Sequence, residues 1–279
     1  MNNGLSLLEQ PLIEQPWKIP PGATPYHIPF FFETIALGTT AAPTDTTLQR
    51  QIGDEDFYWI GLGSNSATRT TAIRVVEDRT GRNFMGASYV SLTKIIPYSD
   101  RFDFLWTGLR PYRMKAGGSV TLEVRNTSAA VSRLGVTLYG YRLPKRTAVP
   151  RDADRYPPYF ISQNLTAVAT TGLVRTASPT PRVGDLPYRL VAIGFDFPDT
   201  NAPLFAFYGP KGEEYMKPRV LVSSLSLANA STGYEPVYPL LSPVEYPAGS
   251  GIKTEIESTG TSEALNLVYI GYQDRGPQP

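Results

Sequence analysis

Apolar residues along this chain fall in short runs or alternate with polar ones, and this texture persists from residue 28 to the end. Segments 57–62, 71–76, 119–124 and 134–141 are rich in Val, Ile, Thr, Tyr and Phe and are bounded by Gly, Pro, Asn or Asp, the signature of strands separated by turns. Residues 119–126, Ser-Val-Thr-Leu-Glu-Val-Arg-Asn, alternate without a slip and end on a turn residue, which predicts a half-buried strand with one wet face. Helical spacing lasts no more than two turns anywhere, and the best helical candidate, 46–52, is short. The pattern predicts an all-β chain.

Set against itself, the chain shows a repeat at an offset of 131 positions. Gly53-Asp54 falls on Gly184-Asp185, and Gly63 falls on Gly194. At the same offset Val75-Val76 and the following turn to Phe84-Met85 meet Ala206-Phe207 and Tyr215-Met216, and Gly140-Tyr141 of the closing strand meets Gly271-Tyr272. A two-residue shift is needed at the start, where Pro29-Phe30-Phe31 is set against Pro158-Tyr159-Phe160. Matched glycines over the whole length imply a duplicated domain. Each copy, of about 120 to 130 residues of short strands, suits an antiparallel β-sandwich or jelly roll of about eight strands.

The predicted organisation is an extended arm at 1–26, a first β-sandwich repeat at 27–143, a linker at 144–155 and a second repeat at 156–275. Pro11, Pro16, Pro20, Pro21 and Pro25 forbid a long helix in the arm and favour an extended path. Its apolar residues Leu7, Leu8, Leu12, Ile13 and Trp17 are too many for a simple linker. An arm with such anchors is stabilised by lying on another surface, here expected to be a neighbouring subunit; packing on its own domain and disorder are the alternatives. Residues 144–155 are polar, charged and Pro-bearing, as an exposed linker should be.

Composition removes several kinds of chemistry. With 26 Lys+Arg against 25 Asp+Glu, the net charge of +1 lacks the basic footprint of a protein held on nucleic acid by phosphate neutralisation. No Cys and a single His, His27, leave no zinc site of thiolate or imidazole type and no cysteine nucleophile. His27 as the base of a serine triad has neither an orienting acid nor a nucleophile at a suggestive spacing, and reads as a strand-entry residue. The start carries no basic leader and no sustained apolar run, so neither a signal peptide nor an anchor is expected. No run reaches the ~18 apolar residues of a transmembrane helix, and no membrane insertion is expected.

Charged and glycine-rich clusters read as turns. Asp54-Glu55-Asp56 invites a calcium reading, but the second repeat has Leu186-Pro187 in place of Glu55-Asp56. Gly-Asp before a strand is a turn, with Gly at positive φ. The acid pairs Glu77/Asp78 and Glu213/Glu214 are placed at equivalent hairpin tips as solvated turns, unlike glycosidase carboxylates held roughly 5 to 10 Å apart across a cleft. Gly61-Leu62-Gly63 lacks the trailing Gly and helix of a phosphate loop. No enzyme, no cofactor and no metal are expected. Aromatics near turns make a different case: Trp106, Arg110, Tyr112, Arg113 and Tyr238 are candidates for a protein interface or a glycan platform, with core packing as the alternative, whereas Trp59 is expected in the core.

Arg110-Pro111, then Lys115-Ala116-Gly117-Gly118-Ser119 and the alternating strand to Asn126, resemble the last hairpin of many virion sandwich domains. With the duplication and the arm, the chain resembles bacteriophage virion structural proteins built of tandem β-sandwich or jelly-roll domains, of capsid or capsid-decoration type. A double jelly-roll major capsid protein is the nearest rival within that class. The resemblance implies a capsid shell or capsid-decorating subunit, made in the host cytoplasm and located in the virion. It would self-assemble as a trimer or other homo-oligomer and bridge neighbouring subunits and other capsid proteins. The alternative is a carbohydrate- or receptor-binding module of a fibre or adhesin, with Trp106, Tyr112 and Tyr238 as stacking residues.

Overall fold

The alternation at 119–126 becomes a strand with Val120, Leu122 and Val124 fully buried and Thr121 and Glu123 half-buried between them. The structure, a computed structural model, describes residues 22–32, 40–41, 49–64, 71–86, 89–92, 95, 104–105, 111–126, 134–143, 154–168, 174–176, 180–196, 204–215, 220–221, 237–257 and 263–276. Among these there is no α-helix. In the first repeat, β1 (Thr24–Phe32), β11 (Leu134–Arg142), β4 (Phe57–Ser64) and β8 (Phe104–Leu105) form one antiparallel sheet in that order, with β9 (Tyr112–Met114) also on β4. The facing sheet runs β2 (Thr40–Ala41), β10 (Ser119–Asn126), β5 (Thr71–Glu77), β6 (Arg82–Asn83), with β3 (Gln49–Gln51) on β10 and β7 (Val90–Ser91) on β5. The second repeat follows the same path: β12 (Pro158–Val168), β19 (Glu263–Gln273), β14 (Tyr188–Asp196) and β17 (Val237–Tyr246) in one sheet. Its facing sheet is β13 (Val174–Thr176), β18 (Thr254–Glu257), β15 (Leu204–Phe207) and β16 (Val220–Leu221). Each repeat is thus a jelly roll of two antiparallel sheets.

Two details differ from the sequence reading. Gln49–Gln51, inside the short helical candidate, is a strand, because pairing with Ser119–Thr121 of β10 outweighs a weak local pattern. Thr24, Pro25 and Tyr26, assigned to the arm, are the first residues of β1 and pair with Arg142, Tyr141 and Gly140.

The repeats match in their irregularities. The β4–β11 ladder shifts register at Ile60, and the β14–β19 ladder shifts at Val191, 131 positions on. These bulges turn the strands at the same point of each roll. Gly53 and Gly184 have φ of 86° and 84°, and a side chain from the end of the closing strand reaches back beside each. Arg142 donates to the Ile52 carbonyl, and Gln273 Nε2 to the Val183 carbonyl at 3.3 Å. Cross-strand register corrects the start of the alignment. His27 opposes Tyr139 and Phe160 opposes Ile270, so Pro25-Tyr26-His27-Ile28 is the mate of Pro158-Tyr159-Phe160-Ile161, and Pro29-Phe30-Phe31 is not.

Core packing joins the repeats. The β12–β19–β14–β17 sheet turns Ile161, Leu190, Ile193, Phe195, Leu267 and Tyr269 into the core of its own roll. From its other face Phe160, Val191, Ala192, Val268, Ile270 and Tyr272 enter the cluster that holds Phe84, Met85, Trp59 and Tyr112 of the first repeat. A sheet buried on both faces reads as near-continuous apolar sequence, as Leu190-Val191-Ala192-Ile193 does.

A Cβ on Gly140 would overlap the Phe57 ring and the Tyr58 carbonyl, and one on Gly271 would overlap the Arg189 carbonyl and the Tyr188 ring. Gly140→Ala and Gly271→Ala are each expected to destabilise the chain by about 3 kcal/mol in denaturant unfolding. Gly117→Ala, at φ 71° with nothing within 4 Å, is expected to cost only about 1 kcal/mol.

Candidate functional site

The two rolls share a core, and the surfaces by which one roll meets the other form the candidate site. The first is built by the segment after the β5–β6 hairpin. Phe84 donates its N–H to the Val75 carbonyl at 3.0 Å, and the Asn83 side chain accepts from Met85 N at 3.0 Å. The Phe84 ring meets Trp59 edge-on at 5.1 Å and Tyr112 at 5.3 Å. Its position fixed, the Phe84 carbonyl accepts from the N–H of Phe160 on edge strand β12 at 2.9 Å, and Ser162 Oγ reaches the Tyr89 carbonyl at 3.4 Å. Gly86, at φ 62°, permits this approach: a Cβ there would stand 3.1 Å from the Phe160 carbonyl oxygen and 3.4 Å from the Tyr159 hydroxyl. The Phe160 N–H of an edge strand is thereby satisfied within the chain rather than left open to other strands.

A polar staple sits beside it. Arg113 forks onto both carboxylate oxygens of Asp154, with Nε to Oδ1 at 2.6 Å, and has Asp56 at 3.6 Å. The next residue, Arg155, forks the other way onto Asp274 at 2.7 and 2.9 Å. Consecutive residues of opposite charge therefore hold the entry to the second repeat, one to the first roll and one to the end of β19. Both Asp154 and Arg155 fall in the segment expected to be an exposed linker, and both are only partly exposed. The Arg155 hydrogen bond holds the Asp274 carboxyl below its usual value, and the Asp154 bond holds Arg113 above its own.

The sequence-nominated residues separate. Tyr112 is buried, and its hydroxyl donates to Glu77 Oε2 at 2.9 Å, so it is no glycan-stacking surface. Burial and the Glu77 charge push that phenol up. Glu77, expected at a solvated tip, is buried and also accepts from Thr80 Oγ1 at 2.6 Å. Arg113 is spent on Asp154. Tyr238, on β17 opposite Ile193, packs half-buried against the second core, separate from Tyr112 and Arg113. Trp106 and Arg110 lie outside the described residues, as do the arm residues Leu7, Leu8, Leu12, Ile13 and Trp17. Trp59 is in the core, with Nε1 donating to the Gly61 carbonyl at 2.7 Å. Phe84, Gly86 and Phe160 were not nominated; the Phe84-Met85 to Tyr215-Met216 match of the repeat was the signal that marked the segment.

No protein-family model matches the sequence, and no curated protein matches it. Solved structures do resemble it. The major capsid protein P2 from bacteriophage PM2 matches with a TM-score of 0.54 and 12% identity over 91% of this chain and 100% of that one. A chain from the atomic structure of Sulfolobus Turreted Icosahedral Virus matches with a TM-score of 0.55 and 7% identity over 90% of this chain and 91% of that one. At such identities the likeness is one of fold. The chain has the double jelly-roll architecture of viral major capsid proteins.

The Asp274 shift fixes a sign. A carboxyl whose folded pKa is depressed adds stability above its unfolded value of about 4, and that stability is lost as pH falls through the folded value. Arg155→Met is therefore expected to lower stability by about 1 kcal/mol at neutral pH and to flatten the loss of stability below pH ~4. Chemical unfolding at a series of pH values from 2 to 7, wild type against variant, checks it.

Proposed function

We propose that this protein is a shell subunit of a bacteriophage capsid, acting by assembly with copies of itself and with other virion proteins rather than by catalysis. The observation that supports this reading is the extent of the likeness: two jelly rolls in tandem, joined through one core, correspond over 91% of this chain and the whole of a phage major capsid protein. A likeness that spans both rolls fits a shell subunit better than a one-domain decorating protein. The domain limits that accompany the proposal are 24–143 and 156–275, with the 144–155 linker between them. In it, the arm, which ends before Thr24, lies on a neighbouring subunit through Leu7, Leu8, Leu12, Ile13 and Trp17. The glycan-binding alternative has lost one of its three stacking residues, since Tyr112 is internal.

Light scattering on the full chain and on a chain starting at Gly22, which keeps all of β1, tests the proposal. A full-length trimer or larger that dissociates without the arm is expected. A monomer in both would overturn self-assembly.

A further inference from the structure

At the joint between the rolls Arg113 and Arg155 are balanced, each forked onto its own carboxylate. Two further arginines there are not. Arg82 stands on β6 of the first roll, and Arg275 follows the end of β19 in the second. Among the described residues neither guanidinium has a hydrogen bond or an ion pair, and Arg82 Nη1 is sealed from water with no acceptor.

The carboxylates beside them are committed elsewhere. Glu77, opposite Arg82 in the β5–β6 pairing, accepts from the Tyr112 hydroxyl and from Thr80 Oγ1 on one oxygen, Oε2. Asp274, next to Arg275, takes the Arg155 fork on both oxygens and the Gly276 N–H on Oδ1. Asp154 and Asp56 face Arg113. The two unpaired cations meanwhile act on each other. Burial above all, with the Arg275 charge, holds Arg82 below its usual value against the pull of Tyr112 and Glu77. Arg275 also draws down the Tyr112 phenol that burial and Glu77 raise. Each is held by backbone: the Arg275 N–H donates to the Arg155 carbonyl at 3.1 Å, and Arg82 follows the hairpin turn at Gly81, φ 64°. Both residues are half-buried, open to solvent in part.

Like charges held together across a joint, one of them with a buried N–H that lacks an acceptor, make an incomplete anion site. A guanidinium presents its donors as a planar fork, and two forks from opposite sides call for several acceptor oxygens on one compact group. We infer that Arg82 and Arg275 together bind one small tetrahedral oxyanion, of the phosphate class, that bridges the first roll to the second. This does not depend on self-assembly. An ion that touches both rolls binds the closed joint and not the separated rolls, so it stabilises the fold by mass action.

Thermal unfolding of the full chain in about 50 mM sodium phosphate, and in sodium chloride of equal ionic strength, tests the site on wild type, R82M and R275M. Phosphate also strengthens burial in any protein by exclusion from its surface, and that part acts on all three chains alike. The expected result is a gain in phosphate about 4 °C larger for wild type than for either variant, saturating with phosphate concentration. Equal gains in all three chains would overturn the site. Loss of the extra gain in only one variant would overturn the bridge, since the ion would then have a single anchor. Should R82M fail to fold, phosphorus NMR of phosphate with wild type and with R275M decides: broadening by wild type alone is expected, and equal broadening by both would overturn the site.

Discussion

Three strands of the second repeat, β12, β14 and β19, carry apolar side chains on both faces, and a sheet of that kind is stable only between two apolar layers. Its inner layer is its own facing sheet, through Phe205, Phe207 and Ile256; its outer layer is the first repeat, through Phe84 and Met85. Taking the first roll away would return Val191, Ala192, Val268, Ile270 and Phe160 to water, at roughly 1.5 to 3 kcal/mol for each large side chain. The duplication has therefore produced one folding body and not two beads on a string. The paired forks of Arg113 with Asp154 and Arg155 with Asp274 sit where the chain crosses between the rolls, and they orient a joint whose energy is apolar.

How the second sheet came to face both ways is visible in its bulges. In a regular strand Val191 and Ala192 would point to opposite faces; the register shift at Val191 lets both join the outer cluster. The same bulge occurs at Ile60, yet there it sends Tyr58 and Ile60 with Tyr141 and Leu143 into a small separate cluster. Gly140 and Gly271 follow from the bulge as well, since the bulged strand presses its backbone against the closing strand at those points.

Much of this was legible because it is periodic. Strand texture, the 131-residue offset and the Gly-Asp turns are local or repeated signals, and the positive φ of both Gly53 and Gly184 agrees with them; pairing moves the mates on β5 and β10 one position further, Val75 to Phe207 and Leu122 to Thr254. The start of the repeat was misaligned for a definite reason. Pro25-Tyr26 and Pro29-Phe30 both match Pro158-Tyr159, and the two choices differ by four residues, so every side chain keeps its face either way. Only hydrogen-bonded pairing with β11 and β19 decides between them. Glu77 was misjudged because a carboxylate at a hairpin looks solvated until a distant partner arrives, and Tyr112 is 35 positions away. The Phe84–Phe160 contact was illegible for the same reason: it is a backbone bond across the duplication, with no side-chain signature.

The two rolls are alike in path and unlike in one buried trio. In the first, Phe30, Leu122 and Leu138 are fully buried and apolar. At the same three positions the second has Gln163, Thr254 and Tyr269, where the Tyr269 hydroxyl donates to Gln163 Oε1 at 2.7 Å and bonds Thr254 Oγ1. Each trio is complete in itself: one needs no partner, and the other is satisfied within the group. A strand exchanged between the rolls would mix them. β1 in place of β12 would set Phe30 against Tyr269, and β12 in place of β1 would bury the Gln163 amide against Leu138, at about 1–3 kcal/mol for each unsatisfied group. Similar strands that fold beside one another meet this choice repeatedly. The polar trio thus separates the closing strands of the two repeats at a point where their shapes are nearly the same.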